Sequence, residues 1–168
     1  MADAILLIGH GGVPKDMPRS MLTELRSWQL AARGDGTEAA EATRRAGECE
    51  QAIRNWPRND DNDPYRLGVE ALAEALREHM PGVRVKVAYN EYCAPAVDEA
   101  LDALAEAGAR EVDVLTTMMA SGGSHGGVDI PEALAAAAER HPDLRIAYRW
   151  PVPPQRLAAM FAALIEGR

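Results

Sequence analysis

Two imidazoles stand among glycines in this chain, His10 in "LLIGHGG" and His125 in "GGSHGGVDIPEAL". Neutral imidazole near pH 7 can bind a divalent transition metal or take a proton, because its pKa lies close to ambient. A single histidine of this kind ordinarily bonds a neighbouring carbonyl and orients a loop. Two of them on one rim, each beside glycines expected to clear space next to the ring, point instead to function. Glu91, in "AYNEYCAP", brings a carboxylate to the same rim and reads equally well as a solvated loop acid. Asp129 reads foremost as the N-cap of a helix beginning near "IPEAL", in a capping box with Glu132. Met118 and Met119 read as core or pocket wall. His79 and His141 fall near helix carboxyl ends, where an imidazolium complements the dipole, and need no further role.

The glycine stretches could form backbone nests for a phosphate. Neither fits the dinucleotide fingerprint or the P-loop, and no lysine follows the glycines, so no nucleotide is expected. Arg19, Arg26 and Arg33 are spaced by seven and share one face of a helix. Such a stripe is usually a solvated face. It could also grip the carboxylates of a large acidic substrate.

These residues need elements to position them. Four short apolar runs read as strands: 4 to 9, 83 to 89, 112 to 119 and 144 to 150, each followed by helical periodicity. Strand followed by helix, four times over, predicts a parallel sheet covered on both faces. The second and fourth runs alternate apolar with polar residues, whereas the first is apolar throughout and the third nearly so, which places the first and third in the middle. The expected fold is therefore α/β, flavodoxin-like, with a four-stranded sheet in the order 2-1-3-4. Its crevice opens beyond the carboxyl ends of strands 1 and 3, where His10 and His125 fall. Residues 13 to 63 break this rhythm and read as an inserted helical hairpin, with one helix ending at Gly34 and Gly36 and a second running from Thr37 to before Pro57. Asp63 and Pro64 read as the N-cap and first residue of the next helix.

A chain of 168 residues fits one domain, taken as 1 to 168 with the hairpin inside it. A net charge of −8 argues against nucleic-acid binding, which gathers lysine and arginine on one face. Cys49 and Cys93 have neither disulfide-framework nor zinc-site spacing, which suits a reducing cytoplasm. The run "AILLI" is too short to cross a membrane and carries no basic leader, so neither export nor anchoring is expected.

The segments "AILLIGHGG", "VKVAYNEYCAPAVDEAL", "REVDVLTTMMASGGSHGGVDIPEAL" and "RIAYRWPVPPQRLAAMFAALI" together resemble the small class II tetrapyrrole chelatases, the sirohydrochlorin cobaltochelatase and ferrochelatase family. The resemblance covers residues 3 to 12 and about 64 to 166. It rests most on a histidine followed four residues later by Asp-Ile-Pro, after a strand and a glycine turn. It implies a chelatase-like three-layer fold and a lyase-class enzyme that inserts Co²⁺ or Fe²⁺ into sirohydrochlorin, towards cobalamin or sirohaem, without a nucleotide. On this resemblance His10 and His125 match two active-site histidines, acting as metal ligands and proton acceptors, and Glu91 matches an acidic position beside them. Chains of this length resemble half of a two-lobed chelatase and pair as homodimers. The 13 to 63 hairpin departs from the short pattern, as do Gly12 and Val13, which stand where a polar and basic pair is common. Two other classes fit the same elements: a non-catalytic metal or tetrapyrrole carrier, and an anion-binding flavodoxin-like module.

Overall fold

A strand made only of Ala, Ile, Leu and Gly belongs where both its faces are dry, and β1 (Ala4–Gly9) is buried at all six positions. In the computed structural model, which describes residues 2–167, β1 lies between β2 (Arg84–Tyr89) and β3 (Glu111–Thr116), with β4 (Arg145–Tyr148) beyond β3. All three pairings are parallel, and the order is the expected 2-1-3-4. Pairing of Gly9 with Tyr89 and of Ile8 with Thr116 fixes which residues emerge together at the carboxyl ends.

On one face of the sheet, Leu6, Ile8, Val112 and Val114 meet Leu101 and Leu104 of α4 (Val97–Glu106) and Leu134 and Ala137 of α5 (Ile130–Arg140). This is the main core, and each fully buried Leu or Ile in it contributes about 1.5–3 kcal/mol. On the other face, Leu7, Val87 and Tyr89 pack against Val69 and Ala73 of α3 (Pro64–His79). The Asp63 carboxylate accepts from the Arg66 N–H at 3.0 Å, with Pro64 opening α3, so both parts of the expected helix start are present.

The residues between Gly12 and Asp63 form an α-hairpin, α1 (Arg19–Ala31) and α2 (Gly36–Arg54), which encloses Met17, Leu25 and Ile53 in a small core of its own. Arg33 lies beyond the end of α1. The seven-residue stripe is therefore helical at Arg19 and Arg26 only, because the chain turns after Ala31, before the glycines expected to stop it.

Two expectations about the far side of the sheet are corrected. The third strand was expected to be buried on both faces, but in β3 only Val112, Val114 and Thr116 are buried, while Glu111, Asp113 and Leu115 are partly open. The sheet was expected to be covered throughout, yet among the described residues no helix packs across the outer face of β3 and β4. The helix available for that place, α6 (Pro154–Ile165), has no buried residue. No described helix is long and apolar enough to cross a membrane.

Candidate metal centre

The ends of β1 and β2 are tied together by backbone hydrogen bonds from Asn90 N–H to the Gly9 carbonyl, 2.9 Å, and from Glu91 N–H to the His10 carbonyl, 2.8 Å. Gly11 makes this approach possible. Its φ is +97°, and a Cβ there would sit 1.7 Å from the Glu91 carbonyl oxygen. The glycine therefore clears space for the neighbouring backbone and not for an imidazole. Gly126 does the same for an indole, since a Cβ would lie 2.7 Å from the Trp150 ring. The expectation that glycines clear room beside the two histidine rings is thus corrected at both loops.

His10 is about two-fifths exposed, with its Nδ1 2.9 Å from the Gly11 carbonyl and its backbone N–H donating to the Tyr65 hydroxyl at 2.8 Å. The His125 ring lies edge-on to it, with centroids 4.9 Å apart and planes at 82°. The Glu91 carboxylate approaches His10 Nε2 to 4.0 Å. One ligand atom from each of His10, Glu91 and His125 falls within 4.8 Å of the others, all three half-buried. All three residues singled out for chemistry come together on the rim beyond β1, β2 and β3. Ligands of a tetrahedral ion at about 2.1 Å stand roughly 3.4 Å apart, so modest rotation of the rings would close this set around a cation.

His125 does not stand in a loop before the helix. It opens a π-helical turn, His125–Asp129, that runs directly into α5. Asp129 accordingly has helical φ and ψ and makes no capping hydrogen bond, which overturns the capping box with Glu132. One turn after His125, its carboxylate meets the ring instead, with Oδ2 2.5 Å from His125 Nδ1. A carboxylate can only accept, so Nδ1 carries the proton and Nε2 keeps its lone pair free for an electrophile. The Asn90 side-chain amide lies 2.9 Å from the same Nδ1 and packs beside the ring. Sequence reading missed both partners. The four-residue spacing of His125 and Asp129 carried the signal, but only for a helix starting earlier than the Ile-Pro pair suggests.

The α-hairpin reaches this rim through two arginines. Arg54, about nine-tenths buried, donates to the carbonyls of Asn90 at 2.8 Å and Cys93 at 3.1 Å and is held by Glu50 at 2.9 Å. Arg58, almost fully buried, donates to the carbonyls of Gly12 and Tyr92 and pairs with Asp63. Between them they clamp residues 90–93, including Tyr92, whose φ of +57° is strained for a bulky side chain. The Tyr92 ring stands 6.5 Å from that of His10. Burial, then the neighbouring Glu91 carboxylate, raises the Tyr92 pKa, while Arg26 acts in the opposite direction. Arg19 and Arg26 also line, with Lys15 and Val13, an open hollow of about 470 Å³ beside the 10–13 loop. Arg33 is not part of it.

The match to the CbiX family model extends over residues 61–166, and the chain belongs to that family. The matched stretch holds Glu91 and His125 and leaves His10 and the α-hairpin outside it. Among solved structures, the chain is similar to SirB from Bacillus subtilis with Fe³⁺, at 21% identity and a TM-score of 0.50, with 88% of this chain and 39% of that one covered. It therefore spans about two-fifths of that protein's length. It is also similar to a protein from Marinobacter aquaeolei VT8 described as a CbiX protein of cobalamin (vitamin B12) biosynthesis, at 16% identity and a TM-score of 0.56, covering 98% and 92% of the two chains. At these identities the structures establish a shared fold. No curated protein matches the chain.

Proposed function

We propose that this chain is a sirohydrochlorin chelatase, inserting Co²⁺ or Fe²⁺ into the macrocycle with His10, His125 and Glu91 as the groups that receive and release the cation. The observation that carries this is the convergence of two imidazoles and a carboxylate within 4.8 Å on one open rim. Membership of the CbiX family and the Fe³⁺-containing SirB relative support it.

A metal entering a tetrapyrrole must shed water while two pyrrole protons leave, so the site needs exchangeable ligands and a base beside them. Imidazole nitrogens and a carboxylate bind such an ion without the hold of thiolates, and the Cys93 side chain is fully buried in the α3-side core with its thiol pushed up to about 11 by burial. Asp129 keeps the His125 Nε2 lone pair available for metal or proton. Arg19 and Arg26, with Lys15, would hold the macrocycle's carboxylates. A single lobe leaves one face of the macrocycle open, which favours pairing of two chains across the rim. Cytoplasmic location, with sirohydrochlorin as a soluble substrate, completes the proposal.

Anaerobic absorbance spectra of sirohydrochlorin mixed with Co²⁺ or Fe²⁺ test it. Many equivalents of metallated product per protomer are expected. A spectral shift that stops at one equivalent would identify a carrier, and no shift would remove both readings. For the basic hollow, Arg26→Ala is expected to raise KM with kcat retained, as for lost uniform binding; unchanged constants would return it to a solvated face.

A further inference from the structure

The paired register of β1 and β3 ends at Ile8 and Thr116, and one further backbone bond, from Thr117 N–H to the Ile8 carbonyl at 3.0 Å, closes the ladder. In an evenly spaced parallel ladder, residues two apart on one strand face the same neighbour, so the His10 N–H points to the β3 side as Ile8 does. It donates there to a side chain. The acceptor is the Tyr65 hydroxyl at 2.8 Å, and that hydroxyl shares a second hydrogen bond with Thr117 Oγ1 at 3.2 Å. One phenol thus spans the gap where another rung would lie, between the strand that ends in His10 and the strand that leads towards His125.

Tyr65 is itself firmly placed. It stands in the first turn of α3, directly after the Asp63 and Pro64 that start the helix, and the Asp63 carboxylate is fixed by Arg58. The loop after β1 lies tight against it: a Cβ on Gly12 would come within 3.1 Å of Asp63 Oδ1 and 3.4 Å of Tyr65 Cβ. The ring is 39% exposed and, among the described residues, belongs to none of the three apolar clusters. Core packing does not explain a tyrosine here. Its hydroxyl, bonded on both sides, does.

We infer that Tyr65 is a positioning residue, whose hydroxyl fixes the His10 backbone against β3 and so sets the separation of the two imidazoles. The inference rests on the reading of His10, His125 and Glu91 as a metal centre. The His10 ring is tied through Nδ1 to the carbonyl of the next residue, Gly11, a contact that travels with the loop. Its place relative to His125, 4.9 Å between centroids, therefore depends on where the backbone is held. The Glu91 N–H holds it from the β2 side through the His10 carbonyl, and Tyr65 holds it from the β3 side. A water molecule could accept from the same N–H, satisfying the donor. It would not anchor that donor to α3 and β3.

Tyr65→Phe keeps the ring and removes the bridge. On the metal-free chain, exchange of the His10 amide followed by nuclear magnetic resonance should become faster. Co²⁺ affinity should fall roughly 3–10-fold, as for one net hydrogen bond, and the visible ligand-field bands should move. Thr117→Val should act in the same direction, and the double variant should bind no more weakly than Tyr65→Phe alone, since both ends belong to one bridge. Ala73→Gly, which loosens the buried side of α3, should lower Tm and leave affinity and bands unchanged. Wild-type exchange, affinity or bands in Tyr65→Phe would overturn the inference. So would additive losses in the double variant, or an equal loss in Ala73→Gly, the mark of general loosening. A wild-type chain that binds no Co²⁺ would strike the metal centre itself and the role of Tyr65 with it. A wild type that binds, beside a Tyr65→Phe chain that binds equally well, would leave the centre standing and remove only the bridge.

Discussion

Asp129 gives His125 its tautomer. Its carboxylate accepts a hydrogen bond from Nδ1–H at 2.5 Å and leaves the Nε2 lone pair unprotonated. Partners of this kind commonly change metal affinity 10–100-fold. Asp129→Asn should therefore weaken Co²⁺ binding by about that factor, read by calorimetric titration, with Tm little changed because the side chain is near half-exposed. Equal affinity would show that the ring needs no such partner. His10, His125 and Glu91 were legible as a group because each follows an apolar strand and the strand order sends all three to one rim. Asn90 and Asp129 were not. Their roles depend on the π-turn starting at His125, whereas the Asp-Ile-Pro sequence reads locally as a helix start five residues later.

At the scale of elements, the α-hairpin acts on the site through the backbone. Arg54 draws three carbonyls of the 89–93 segment towards α2, and Glu91 sits within that segment. Arg54→Ala should leave these carbonyls unpaired in a half-buried site, speed amide exchange at residues 90–94, and weaken metal binding more than it lowers Tm. Arg54→Lys should rescue only in part, because an ammonium cannot fork to several carbonyls. A hairpin that merely rests on the rim would show no change in local exchange. The sequence revealed the hairpin's helices through their apolar stripes and stops, yet not its reach to Glu91, since an arginine near a helix end looks the same whether it faces water or a loop. The seven-residue arginine stripe failed at Arg33 for a related reason: spacing alone cannot tell that α1 ends at Ala31.

For the whole molecule, the two packed faces of the sheet differ in completeness. The α4–α5 side is closed, and Asp102 of α4 ties it to Arg140 and His141 at 2.9 and 2.7 Å. Burial acts to raise the Asp102 pKa, but the hydrogen bonds from Arg140 and His141 outweigh it and leave the value lowered. Folded Asp102 therefore holds its proton less tightly than the unfolded chain does near pH 4. The associated stability is present above that pH and is lost as pH falls through the lowered folded value. Asp102→Asn should flatten the acid limb of Tm against pH below about 4 and cost little at pH 7, the pair being partly exposed. An unaltered acid limb would show that this contact carries none of it. The order 2-1-3-4 was readable because β1 is dry on both faces. The uncovered β3–β4 face was not, because an apolar run with one aspartate resembles a central strand whether or not a helix lies over it.

The shared cation is tested most directly by anaerobic Co²⁺ titration followed in the visible ligand-field bands, on the wild-type chain and on His10→Ala, His125→Ala and Glu91→Gln. One Co²⁺ per protomer is expected, with bands of mixed nitrogen and oxygen ligation that weaken or vanish on loss of either imidazole and shift on loss of the carboxylate. Full stoichiometry and unchanged bands in both histidine variants would contradict a cation held between His10 and His125.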